Sequence, residues 1–148
     1  MKTLPTAFAT LALVYSSSAA AQNLAAMIQN GNEQLLNRGN LAVITDMFAA
    51  NYVAHDETGT GPGVIRKFIT DLRTAFPDIH VEVQVLSEQG NRITWLRTAR
   101  GTQRGAFMGV PASGRTITWQ DMVVTRYEGG KVAEEWAVTN LGERLRGP

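Results

Sequence analysis

A proton can be moved at neutral pH only by a side chain whose surroundings suit it to the task, and three residues stand where that could happen: His55, Asp121 and Glu135. His55 precedes Asp56 where a helical stretch gives way to a loop. An imidazole with an ordinary pKa of about 6.5 can donate or accept a proton there, or can make a structural hydrogen bond to the loop. Asp121 is flanked on its own strand face by apolar Trp119 and Val123, a costly place for a charge unless it borders a polar cavity or is paired. Facing a cavity, it would be desolvated and become a candidate base; otherwise it would pair with Arg97, Arg115 or a second subunit. Strand alternation sets Trp119, Asp121, Val123 and Thr125 against Gln120, Met122, Val124 and Arg126, and periodicity leaves open which set faces inward. Glu135 lies in Glu134-Glu135-Trp136, close to the end of the chain.

The same inventory excludes other chemistries. His55 and His80 are the only histidines and there is no cysteine, so neither a transition-metal site nor thiolate catalysis is expected, and no cofactor is. Gly59-Thr60-Gly61-Pro62-Gly63 lacks the preceding strand that a dinucleotide loop requires and reads as a plain loop before a helix. No Gly-x-Ser-x-Gly elbow occurs.

These residues must be positioned by two kinds of element. Leu24, Met27, Ile28, Leu35 and Leu36 fall near helical spacing over 23–37, with Gly39 placed to end that helix. Asn40 can cap a second helix with Leu41, Ile44, Met47 and Phe48 on one face, before the chain turns extended at Tyr52 and Val53. After the loop 55–63, Val64, Ile65, Phe68, Ile69, Leu72 and Phe76 share the face of a third helix that Pro77 stops. The period then changes from 3.6 to 2. Val81–Val85 and Ile93–Ala99 read as a hairpin about Gly90; the segment 101–114 connects to a long strand over 115–127. Glu128-Gly129-Gly130-Lys131 turns into a last strand, 132–139. Helices first and a four-stranded meander after predict an α+β domain with helices on one face of a curved antiparallel sheet.

The N-terminus reads as an address. Lys2, an apolar stretch over 4–15, three serines and Ala19-Ala20-Ala21 have the organisation of a secretory signal, with cleavage expected near Ala21/Gln22. The stretch is too short to span a membrane, which needs about 20 apolar residues, so no stable insertion is expected after its removal. The expected organisation is a signal peptide over 1–21 and one domain over 22–148, in the periplasm or outside the cell. Removing Lys2 with the signal leaves equal numbers of basic and acidic residues, so nucleic acid is not an expected partner.

Several segments together resemble one family. Arg-Gly-Thr-Gln-Arg-Gly-Ala-Phe-Met-Gly-Val-Pro-Ala-Ser-Gly-Arg (100–115), Thr118-Trp119-Gln120-Asp121, Gly130-Lys131 and Glu134-Glu135-Trp136, with Asn-Tyr-Val-Ala-His-Asp (51–56) and Ala-Phe-Pro-Asp (75–78), are similar to the SnoaL-like polyketide cyclases (ester cyclases) of the NTF2-like superfamily. The resemblance implies a half-open cone, three N-terminal helices packed on the curved sheet, and one pocket for a small apolar, carbonyl-containing or polyketide-like molecule. It also implies homodimerisation through the outer sheet face. Contacts to the ligand are expected from Tyr52, Arg97, Gln103, Phe107, Met108, Trp119 and Trp136.

The proton-handling positions of the family's cyclases are altered. The aspartate following the tryptophan position aligns with Ala137, a further aspartate with Asn140, and an accompanying histidine with Val123. In the family pattern Gly-Thr-His-x-Gly the histidine is Gln103, which can hold a carbonyl but cannot transfer a proton at neutral pH. Two functions are therefore expected alternatives: cyclase- or isomerase-type acid–base chemistry through His55 with Asp121 or Glu135, or small-molecule binding without catalysis. A third is an interaction role through the outer sheet face.

Overall fold

A computed structural model describes residues 23–55 and 59–147, so the expected signal sequence and Asp56 lie outside the described residues. Helix α1 (Leu24–Asn32) starts where the Asn23 side chain accepts a hydrogen bond from the Ala26 N–H at 3.0 Å. It continues as one wider π turn over Glu33–Asn37, closed by Arg38 N–H to Glu33 C=O. That turn delivers Asn37 to the edge of the sheet, where its side-chain amide accepts from Val81 N at 2.7 Å and donates to Val81 O at 3.2 Å. The side chain thus stands in for a neighbouring strand.

The second expected helix is much shorter than its apolar spacing suggests. Asn40 caps a 3₁₀ turn over Leu41–Val43, one α turn follows (α2, Ile44–Met47), and Phe48 is already extended. Sheet pairing wins over helix spacing here: β1 (Phe48–Ala54) lies parallel to the last strand, with Phe48 opposite Val132 and Ala54 opposite Glu135. The β-branched run Val43-Ile44-Thr45 makes a poor helix centre in any case.

Helix α3 (Pro62–Ala75) has Pro at its first turn and buries Ile69, Leu72 and Ala75. Strands β2 (His80–Gln89), β3 (Arg92–Thr102), β4 (Thr116–Glu128) and β5 (Lys131–Thr139) form the expected antiparallel meander. With β1 the order is β1-β5-β4-β3-β2, a mixed open sheet with an extra residue in β2 at Leu86, another in β5 at Ala133, and an irregular stretch of β1 between Phe48 and Val53. A short helix α4 (Leu141–Arg146), absent from the sequence reading, buries Leu141 and Leu145. Its last carbonyls accept from Arg115, at 2.8 Å for Leu145 O.

The α+β class is thus as expected, with a parallel edge strand and a C-terminal helix added. The open question of strand face is also answered. Trp119, Asp121, Val123 and Thr125 of β4 are buried with Ile93, Trp95 and Ala99 of β3, while Gln120 and Met122 point outward.

Candidate functional site

The inward faces of β4 and β5 meet in three successive steps: Asp121 opposite Thr139, Val123 opposite Ala137, and Thr125 opposite Glu135. Val123 and Ala137, the apolar positions expected to stand where the resembling family has a histidine and an aspartate, are direct cross-strand partners, with one carboxylate a step to either side. Asp121 and Glu135 are four residues apart in register, about 13 Å along the strand. They are too far apart to act on one carbon atom.

Glu135 belongs to the inner end. It lines a cavity of about 110 Å³ between the sheet, α1 and α3, whose walls include Ile28, Ile65, Phe68, Ile69, Trp95 and Val123. Tyr52 donates to Glu135 Oε2 at 2.9 Å and Thr125 to Oε1 at 2.9 Å, while Thr125 Oγ1 accepts from Trp95 Nε1 at 2.9 Å. Thr125 is fully buried and Trp95 nearly so, and a chain of hydrogen bonds runs from them to the half-buried Glu135. Tyr127 lines the same cavity; burial, and secondarily the charge of Glu135, push its phenol well above the ordinary value. It remains a proton donor at any physiological pH.

Asp121 belongs to the outer end and is paired. Arg97, its register partner on β3, donates from Nε to Asp121 Oδ2 at 2.7 Å, and from Nη1 to Asn32 Oδ1 at 3.4 Å. Both alternatives weighed for Asp121 thus hold in part: it faces the interior and it pairs with Arg97. Beyond the pair lies a vestibule of about 640 Å³ bounded by α3, Trp119, Leu141 and the turn Phe107–Val110. Met108 and Gly109 both take positive φ there, 50° and 73°, the conformation of a two-residue hairpin turn. Holding Met108 in that region costs backbone strain and leaves its side chain 54% exposed at the vestibule rim.

The remaining expected residues are placed elsewhere. Gln103 is completely buried; its amide donates to Val110 O at 3.3 Å and Pro111 O at 3.0 Å and accepts from Ser113 at 2.8 Å. It organises the loop behind Phe107 and Met108, with no reach left for a ligand. His55 and Trp136 stack on the other face of the sheet, ring centroids 4.5 Å apart and 5° from parallel, with the Arg92 guanidinium 5.8 Å from the Trp136 ring. Strand alternation is the reason: Trp136 sits between Glu135 and Ala137 and must point away from both. Glu134 also points outward, where the Arg126 hydrogen bond at 2.8 Å holds its carboxyl below the ordinary value. Of the expected residues, the structure brings Tyr52, Arg97 and Glu135 to the inner cavity and Arg97, Phe107, Met108, Trp119 and Asp121 to the vestibule.

Sequence reasoning set Thr125 on the Asp121 face without a role and missed Tyr127 and Asn32. The first two continue the Trp119–Asp121–Val123 alternation by a single step each, and that was the available signal. Among the described residues, no three His, Asp or Glu side chains come together as a metal site.

A family model described as SnoaL-like polyketide cyclase matches residues 26–146. Among solved structures, the chain is similar to AclR, a candidate hydroxylase from Streptomyces galilaeus, at 27% identity and TM-score 0.70 over 84% of this chain and 96% of that one. A SnoaL-like polyketide cyclase from Agrobacterium tumefaciens shares the fold at 20% identity and TM-score 0.73, over 85% and 99% of the two chains. IdmH of Streptomyces antibioticus shares it at 22% and 0.71, over 84% and 96%. No curated protein matches the chain by sequence.

Proposed function

We propose a function from the premise that the chain belongs to the SnoaL-like polyketide cyclase family: it binds a small carbonyl-containing or polyketide-like molecule in the inner cavity and moves a proton on it, with Glu135 as the acid–base group. The observation that carries this reading is the setting of Glu135. A carboxylate held by Tyr52 and Thr125 borders a cavity whose walls are mainly apolar, one step inward from the apolar pair Val123 and Ala137. In such a reaction Glu135 takes the proton from the carbon next to the carbonyl, and the electron pair moves onto the carbonyl oxygen. Arg97 and the protonated Tyr127 line the same cavity and can donate to an oxygen that gains charge.

His55 and Asp121 have lesser parts in this reading. His55 is a platform on Trp136, and Asp121 orients Arg97. Non-catalytic binding is the less favoured alternative, because a carboxylate in a mainly apolar cavity wall is costly to keep without a use. The protein is further proposed to be exported, with a leader ending near Ala21. No helix among the described residues is long and apolar enough to cross a membrane.

We also propose a homodimer through the outer sheet face. Leu96, Met122 and Val138 are register neighbours on three adjacent strands and form an apolar row there, with Met122 51% and Val138 76% exposed.

The catalytic reading is tested by incubating the protein with small ketones in D₂O and following deuterium entry at the α-carbon by NMR. Exchange well above the buffer rate is expected; ketone binding without exchange would establish the non-catalytic alternative instead.

A further inference from the structure

The inner cavity and the vestibule have walls in common: Val64, Phe68, Arg97 and Ala137 border both. They are unequal, about 110 Å³ against about 640 Å³. An apolar cavity of about 150 Å³ takes up one benzene, so the inner cavity accommodates a single small ring or a short alkyl end and no fused polycycle. The vestibule has an apolar wall in Phe68, Phe107, Met108, Trp119 and Leu141, and its charges come in pairs, Lys67 with Asp71 and Arg97 with Asp121.

Arg97 stands at the junction in one fixed orientation. Its Nε is held by Asp121, its Nη1 by Asn32, and Trp95 lies 5.6 Å from its guanidinium carbon. A guanidinium carries five N–H donors, and among the described residues no acceptor meets its Nη2. No buried side-chain nitrogen or oxygen among the described residues lacks a partner, so that end of the fork is open to solvent or ligand.

We propose, resting on the carbonyl-directed reading above, that the site takes an elongated neutral ligand that spans both chambers. Its small apolar end occupies the inner cavity, its carbonyl oxygen accepts from the open end of Arg97, and an apolar chain runs through the vestibule against Phe107, Met108 and Trp119. The substrate class is accordingly a linear or single-ring acyl compound. Compact polycycles are excluded by the size of the inner cavity.

The test is a binding series of straight-chain methyl ketones, from pentanone to tridecanone, against the tricyclic ketone anthrone. Tryptophan fluorescence is read in a Trp136→Phe background, which leaves Trp95 to report on the inner cavity and Trp119 on the vestibule. Affinity is expected to rise about fourfold per added methylene until the vestibule is filled, with anthrone bound more weakly than the longer ketones. Phe107→Ala should flatten that slope. The double variant Arg97→Gln with Asp121→Asn removes both charges of the pair together and should weaken every ketone by about tenfold or more without changing the slope. Tight binding and exchange of pentanone with no dependence on chain length, or preferential binding of anthrone, would overturn the elongated ligand while leaving Glu135 chemistry standing. Failure of all these ketones to bind would overturn both.

Discussion

Thr125 decides how Glu135 is held. Its hydroxyl accepts a hydrogen bond from the Trp95 indole N–H and donates one to Glu135 Oε1, so that one residue fixes both the tryptophan wall and the carboxylate. Thr125→Val keeps the shape and removes the hydroxyl, leaving the Trp95 N–H unsatisfied at a cost of about 1–3 kcal/mol. Its α-proton exchange is expected to fall by about 10²-fold through loss of Glu135 alignment, whereas Thr125→Ser retains most of the rate. Equal rates in both variants would remove Thr125 from the site. At this scale the sequence also speaks about the family's reaction, because Ala137 and Val123 can neither take nor return a proton. Incubation with an anthracycline-type precursor ester is expected to show ring closure at the spontaneous rate; an increase above about 10²-fold would show that the reaction persists through another base. Asp121 was legible as a strand carboxylate in need of a partner, since it lies between Trp119 and Val123 on one strand face, whereas Glu135 was singled out only by its Glu-Glu-Trp segment. The partners were not legible: Tyr52 is 83 residues from Glu135 and Arg97 is 24 from Asp121, and only the sheet register joins them.

The meander was readable because alternation from Val81 onward and the turns at Gly90 and Gly129-Gly130 state where each strand begins and ends. The parallel strand β1 was not, because its apolar spacing over 41–48 fits a helix and its pairing partner lies at the far end of the chain. The loop before β4 carries a steric requirement that only the packed structure reveals. Gly105 passes directly over the end of α3, where its N–H and that of Arg104 both donate to Ala75 O. A methyl group there would sit 3.1 Å from Ala75 Cα and 3.2 Å from Thr74 O, backbone atoms that cannot swing aside. Gly105→Ala is expected to destabilise the protein by about 1–3 kcal/mol and to lift Phe107 away from Phe68 and Phe76. Gly63→Ala, with nothing within 4 Å of the added carbon, should leave stability unchanged or slightly raised. Thermal melts of the two variants check this directly, and equal melting temperatures would contradict the packing described.

Across the molecule, one sheet serves two purposes: its inner face walls the cavities and its outer face presents the Leu96–Met122–Val138 row. If that row joins two copies, Met122→Asp should convert a dimer to a monomer in light scattering at micromolar concentration without altering ketone exchange. A wild-type protein already monomeric there would remove the dimer from the account. The central claim is that a single carboxylate at the inner end of the cone handles the proton, and the most direct test is the α-proton exchange rate of one bound ketone across Glu135→Gln, Asp121→Asn and His55→Gln, each measured at saturating ketone. Loss of about 10²- to 10⁴-fold is expected in Glu135→Gln, with the ketone still bound, and a far smaller effect in His55→Gln and Asp121→Asn. Exchange that survives in Glu135→Gln and disappears in either of the other two would contradict it.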